Sequence, residues 1–131
     1  GHFTKMIHNG IEYGMMQALA EGFTVMKYSS YNLNLRRVAD IYNRGSVIES
    51  RLVGWLKDAL EIHGENLKAV TGRVGHTGEG AWTVKAAKEM NIKIKIIEES
   101  LKFRKLSEKR PSYTGKILSA LRERFGGHSV R

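Results

Sequence analysis

Four side chains near the start of the chain, Lys5, His8, Asn9 and Glu12, are of the types that move protons and orient oxygen atoms. At about 100° per residue they fall within roughly one 100° arc of a helix, with Tyr13 at its edge. Most of the remaining circumference is apolar. Ionisable groups set among Met and Ile are costly to desolvate unless they are paired or open to a cleft. An amine so placed can give up its proton near neutrality and act as a base, and a carboxyl can stay protonated and act as an acid. The same spacing also fits a solvated helix face with Lys5–Asn9 or His8–Glu12 pairs at i, i+4. Spacing alone favours that plainer arrangement.

A second group lies further on, in Gly78-Glu-Gly-Ala-Trp82-Thr83 and at Arg104 and Arg122. Glycines ahead of a helix let backbone N–H groups approach an anion at the positive end of the helix dipole. Thr83 could add a hydroxyl donor, and the two arginines offer planar forks suited to phosphate or carboxylate. Against this, Glu79 would repel a phosphate, and two of the glycines can serve simply as turns. Trp82 is expected in the core.

These residues need elements to position them, and the composition points to helices. The 131 residues are 41% hydrophobic and 27% charged, as for one soluble globular domain, with no run long enough to span a bilayer. The opening segment lacks the layout of a signal peptide, so a cytoplasmic protein is expected. With no cysteine there is neither a disulfide framework nor a thiolate metal site. The net charge of +9 suits an anionic partner without choosing among nucleic acid, acidic surfaces and phosphorylated metabolites.

With one proline in the chain and apolar residues recurring three and four apart, the spacing predicts an all-α fold. A first helix is expected over Phe3–Lys27, burying Phe3, Ile7, Ile11, Met15, Ala18 and Leu19. Asn34 should cap a short helix over Leu35–Arg44 that Gly45 stops, and Ser46 should cap another over Val47–His63. A polar glycine-punctuated loop follows from Gly64 to Gly80, then a helix over Trp82–Met90. The alternating run Ile92–Ile96 is expected as an extended entry into a helix over Ile96–Ser107. A last helix is expected over Thr114–Arg124.

The string Lys5-Met-Ile-His8-Asn9-Gly10-Ile-Glu12-Tyr13-Gly14 closely resembles the active-site helix of decarboxylating 6-phosphogluconate dehydrogenases, K-x-x-H-N-G-I-E-Y-G. Three later segments resemble that family in the same order: Gly78–Thr83 its G-x-G-[KR]-W-T motif, Arg104 a substrate-phosphate arginine, and Arg122 with Phe125-Gly-Gly-His128 its tail. The likeness covers nearly the whole chain and is nearest to the family's shorter form. It implies an all-α substrate-binding C-terminal domain, 1–131, intertwined with a second copy in a homodimer or higher oligomer. An N-terminal NADP-binding Rossmann domain would lie outside this chain.

The resemblance also implies roles. Lys5 would be the general base and Glu12 the acid, with Asn9 completing the catalytic set. His8, Tyr13, Thr83, Arg104, Arg122 and His128 would hold a sugar-acid phosphate. NADP or NAD would be bound mainly by the N-terminal domain, and no metal is implied. The isolated fragment is expected to be inactive, because no complete dinucleotide fingerprint is present. One departure stands out: Ala81 occupies a usually basic position, where Arg73, Lys85 or another nearby cation would have to compensate. The alternatives are another β-hydroxyacid dehydrogenase, a helical assembly domain without chemistry, and a basic nucleic-acid-binding module. The last lacks a helix-turn-helix or aromatic-basic signature, so neither nucleic acid nor membrane is expected as a partner.

Overall fold

The computed structural model describes residues 1–126. Six helices and no strand occur among them: α1 (His2–Tyr28), α2 (Leu35–Tyr42), α3 (Arg51–His63), α4 (Gly78–Glu89), α5 (Lys95–Ser107) and α6 (Tyr113–Gly126). The all-α expectation holds. At about 1.5 Å per residue α1 is roughly 40 Å long, and it forms the spine against which α4, α5 and α6 pack. Around its C-terminal half lies the main core, which includes Phe23, Leu35, Leu56, Ile117, Leu118 and Leu121. A smaller cluster of Tyr13, Val84 and Leu101 fills the space between its N-terminal half and the α4–α5 pair.

The face of α1 that enters the core is not the one its hydrophobicity predicts. Tyr13, Met16, Gln17, Ala20 and Phe23 are buried with Gly10 and Gly14. Phe3, Ile11, Met15 and Ala18 are exposed, and only Ile7 and Leu19 of the expected set are half-buried. The reason is the closeness of the crossings. Small residues let α4 and α5 approach: a Cβ at Gly14 would lie 3.3 Å from Ile96 Cγ2. The helix is thus apolar on two faces, one of them open to solvent.

The third helix also starts later than its apolar stripe suggests. Ser50, not Ser46, caps it, accepting from the Val53 N–H at 3.2 Å. The Ser46 hydroxyl is instead engaged by the Tyr42 carbonyl, and Asn43 Oδ1 accepts from Ser50 N–H at 2.8 Å. Val47 and Ile48 therefore sit on an exposed connection rather than in the core. Asn34 caps α2 as expected, accepting from Arg37 N–H at 3.0 Å. The segment before α4 is less polar in practice than in sequence. Leu67, Val70 and Val74 are fully buried, and the Val74 N–H donates to Ser107 Oγ at 2.8 Å. The extended entry through Ile92–Ile94 into α5 is present. No helix among the described residues is long and apolar enough to cross a membrane.

Candidate active site

At the seam between the two apolar clusters lies a cavity of about 260 Å³. Asn9, Glu12, Tyr13 and Met16 of α1 form one wall, recurring at helical spacing. Thr77 and Glu79 come from the start of α4, Arg104 from α5 and Arg122 from α6. Four elements thus converge on residues separated by more than a hundred positions in sequence.

Arg104 is the least expected occupant of such a floor, being only 2% exposed. Its guanidinium lies 3.7 Å from the centroid of the Tyr13 ring, a cation–π stack that compensates part of its desolvation. Nη1 reaches the Gly75 carbonyl and Nη2 the Met16 sulfur, both at 3.5 Å, while Nε is buried without a partner. Burial pushes its pKa down to about 10, and the neighbouring Arg122 cation pushes the same way against Tyr13 and Glu12. Arg122 packs against the backbone of Gly75, where an added Cβ would lie 2.6 Å from Nη1. Burial lowers its pKa too. Neither arginine forms an ion pair with a carboxylate among the described residues. Two adjacent, underpartnered cations in a cavity have the chemistry that suits an anion.

Opposite them, the Glu12 carboxyl is held above its ordinary pKa by burial and, to a smaller degree, by Glu79. His8 and Arg104 oppose that rise. His8 stands outside the cavity, with Nδ1 3.0 Å from Asn9 Oδ1 and 3.7 Å from Glu12 Oε2. The expected i, i+4 pair therefore exists beside the site rather than instead of it.

Lys5 does not line this cavity. It borders an adjoining depression with His2, Phe3, Met6, Glu79 and Trp82. Trp82 is exposed there, folded over Gly78, and is not a core residue. Thr83 is not brought to either hollow: it is buried, and its hydroxyl lies 3.0 Å from the Met6 carbonyl and 2.9 Å from that of Glu79. The glycine motif likewise works by packing. Gly78 and Gly80 lie inside the first turn of α4, and a Cβ at Gly80 would be 2.7 Å from the Tyr13 ring. On the facing helix a Cβ at Gly10 would be 2.8 Å from Thr83 Cγ2.

Ala81 packs beside the Tyr13–Val84–Leu101 cluster. No compensating cation replaces it from the two expected positions. Arg73 is turned to the Glu108 carbonyl, and Lys85 is exposed and borders neither hollow. His128 lies outside the described residues. Sequence reasoning overlooked Thr77 and Met16 and treated Glu79 only as an obstacle. Two signals were available: the step from Glu12 to Met16, which continues the polar arc of α1, and the four-residue step from Glu79 to Thr83, which puts both on the α4 face toward α1.

Residues 1–121 match the family described as "6-phosphogluconate dehydrogenase, C-terminal domain". YqeC of Bacillus subtilis, provisionally named a 6-phosphogluconate dehydrogenase, is 43% identical over 99% of this chain and 43% of its own length. The NAD(+)-dependent, decarboxylating 6-phosphogluconate dehydrogenase of Haloferax volcanii is 37% identical over 99% of this chain and 44% of its own. A decarboxylating 6-phosphogluconate dehydrogenase of Arabidopsis thaliana is 40% identical over 82% of this chain and 23% of its own. The chain spans less than half the length of these curated relatives.

Proposed function

The chain belongs to the 6-phosphogluconate dehydrogenase family, matching its C-terminal domain, and on that premise we propose that it is the substrate-binding and proton-transfer half of an NAD(P)-dependent oxidative decarboxylase. The substrate in this reading is 6-phosphogluconate, the product is ribulose 5-phosphate, and the setting is the pentose phosphate pathway. The observation that carries it is Arg104, buried and incompletely partnered beside Arg122, facing an elevated Glu12 carboxyl across one cavity.

Arg104, Arg122 and Tyr13 receive the phosphate end, and Asn9 orients a substrate hydroxyl. Lys5 takes the proton of the C3 hydroxyl as the hydride leaves, then returns it to the same oxygen as carbon dioxide departs. Glu12 next protonates the carbon that lost the carboxylate, while Lys5 takes back the enol proton to give the ketone. A nicotinamide cofactor, NAD or NADP, supplies the hydride acceptor. A strand–turn–helix cradle for its pyrophosphate is absent from the described residues. Phe3 and Trp82, both exposed beside Lys5, would offer apolar contact to such a ring. His8 supports Asn9 and Glu12 from outside, and Thr83 fixes the α1–α4 contact.

The exposed face of α1 supports a homo-oligomer built through the helical domain. Beside it runs an apolar groove lined by Met15, Ala18, Leu19 and Gly22 of α1 and by Val47 and Ile48. No Lys or Arg lines it, so it is a surface on which two chains of charge +9 can meet without opposed cations.

Assay of the full-length protein with 6-phosphogluconate and with 3-hydroxyisobutyrate tests the reading. Preference for the phosphorylated acid supports it, and preference for the other sinks it. Ala81, where the family pattern has a cation, favours a different anionic hydroxy acid as the second reading. Reduction of NAD or NADP by the isolated 131 residues would contradict the assignment of cofactor binding to a separate domain.

A further inference from the structure

Among the described residues Glu79 is the one side chain that borders both the cavity with the arginines and the depression holding Lys5. Its main chain is fixed from two sides. The carbonyl of Glu79 and that of Met6 share the Thr83 hydroxyl, and the next residue, Gly80, is pressed against the Tyr13 ring. A carboxylate whose backbone is pinned at the edge of a cavity holding two arginines weakens anion binding there unless it does something else.

We propose that Glu79 is a positioning residue that orders the charges of the site, standing between the cavity lined by Glu12 and the depression bordered by Lys5, so that the anionic end of the substrate is turned toward the arginines. The proposal rests on the functional reading above. The charged groups around Glu12 are His8 on its own helix, Glu79 on α4, Arg104 on α5, Arg122 on α6 and Arg51 across the outer hollow. Of these Glu79 alone is an anion. It alone favours the protonated acid against the nearby cations, in the direction already seen for Glu12. In the mechanism Lys5 and Glu12 end a turnover with their protonation states exchanged.

The test compares the chain with E79Q, which keeps the shape of the side chain and removes its charge. Carbon-13 NMR of the glutamate carboxyls should find the Glu12 titration midpoint moved to lower pH in E79Q. Inorganic phosphate should bind several-fold more tightly. In the full-length enzyme kcat should fall about tenfold, as for a weakened general acid, with KM falling as well and the alkaline limb of the rate profile moving to lower pH. A purely structural role would lower kcat without moving that limb. Should E79Q fail to fold, Glu79→Asp should shift the Glu12 midpoint in the same direction by less. An unmoved Glu12 midpoint in a folded variant overturns the inference. Failure of the unsubstituted chain to bind phosphate would instead undo the functional reading, leaving the Glu12 result to stand by itself.

Discussion

Two of the hollows along α1 are made of opposite materials. Toward the N-terminal end, Asn9, Glu12 and Tyr13 meet Arg104 and Arg122 around a charged cavity of about 260 Å³. Half a helix later and on another face, Met15, Ala18 and Gly22 border a groove of about 470 Å³ that has almost no polar lining apart from Ser50 and Glu49. In the first, polar groups are buried without full partners, which favours a small charged ligand able to supply them. In the second, apolar groups are left in water, which favours a protein surface able to cover them. One helix carries both because only part of its circumference is needed for its own core.

That contrast can be broken from either side. The largest effect is expected from Arg104→Met. Phosphate-dependent binding should fall about a hundredfold, since charge-assisted hydrogen bonds are worth roughly 1.5–3 kcal/mol each. The melting temperature should hold or rise, because a buried charge is replaced by an apolar side chain of similar length. Calorimetric titration and a thermal melt check the two halves, and a large loss of stability would contradict the view of Arg104 as a binding group. Next, Ala18→Asp should abolish self-association while moving the stability of a single chain by about 0.5 kcal/mol or less. Sedimentation across a range of concentrations distinguishes this from an unchanged monomer, which would leave the groove without its proposed occupant.

A smaller effect concerns pH. The raised Glu12 pKa means that the folded state binds this proton more tightly than the unfolded chain does. Its contribution to stability is therefore lost as pH rises from the unfolded value through the folded one. Glu12→Gln should match the parent in acid and exceed it above that window, as read from denaturant melts at several pH values. The least effect is expected at the rim of the apolar groove. Ser50→Ala removes the α3 cap and should cost about 1 kcal/mol, loosening the connection that presents Val47 and Ile48. Ser46→Ala should cost less, contrary to the cap position the sequence suggests.

How far the sequence anticipated these regions depends on what each is built from. The helices were legible because their periods and breakers are local: Asn34 caps α2 as expected, although α2 ends at Tyr42 with Asn43 as its cap, and Gly45 takes its positive φ in the turn beyond. Asn9, Glu12 and Tyr13 were legible as a set because one helix aligns them. Arg104 and Arg122 were legible as forks suited to an anion, but their place beside Asn9 and Glu12 came only through likeness to a family, since nothing local joins α5 and α6 to α1. The inward face of α1 was misread because greasiness was taken as the guide. What selects that face is the room made by Gly10, Gly14 and Ala20. Thr83 was misread for a related reason: a hydroxyl beside a glycine motif suggests a ligand, whereas here it joins two backbones. The partner of Ser46 could not be foreseen, because a competing cap four residues later reads equally well.

The notch at Gly80 that admits the Tyr13 ring has an evolutionary consequence. Because α4 clasps that ring, the wall it forms cannot be remodelled without dismantling the crossing of the two helices. Taste for a new substrate is more readily acquired beside the notch, at position 79, where this chain carries an acid at the edge of the cavity.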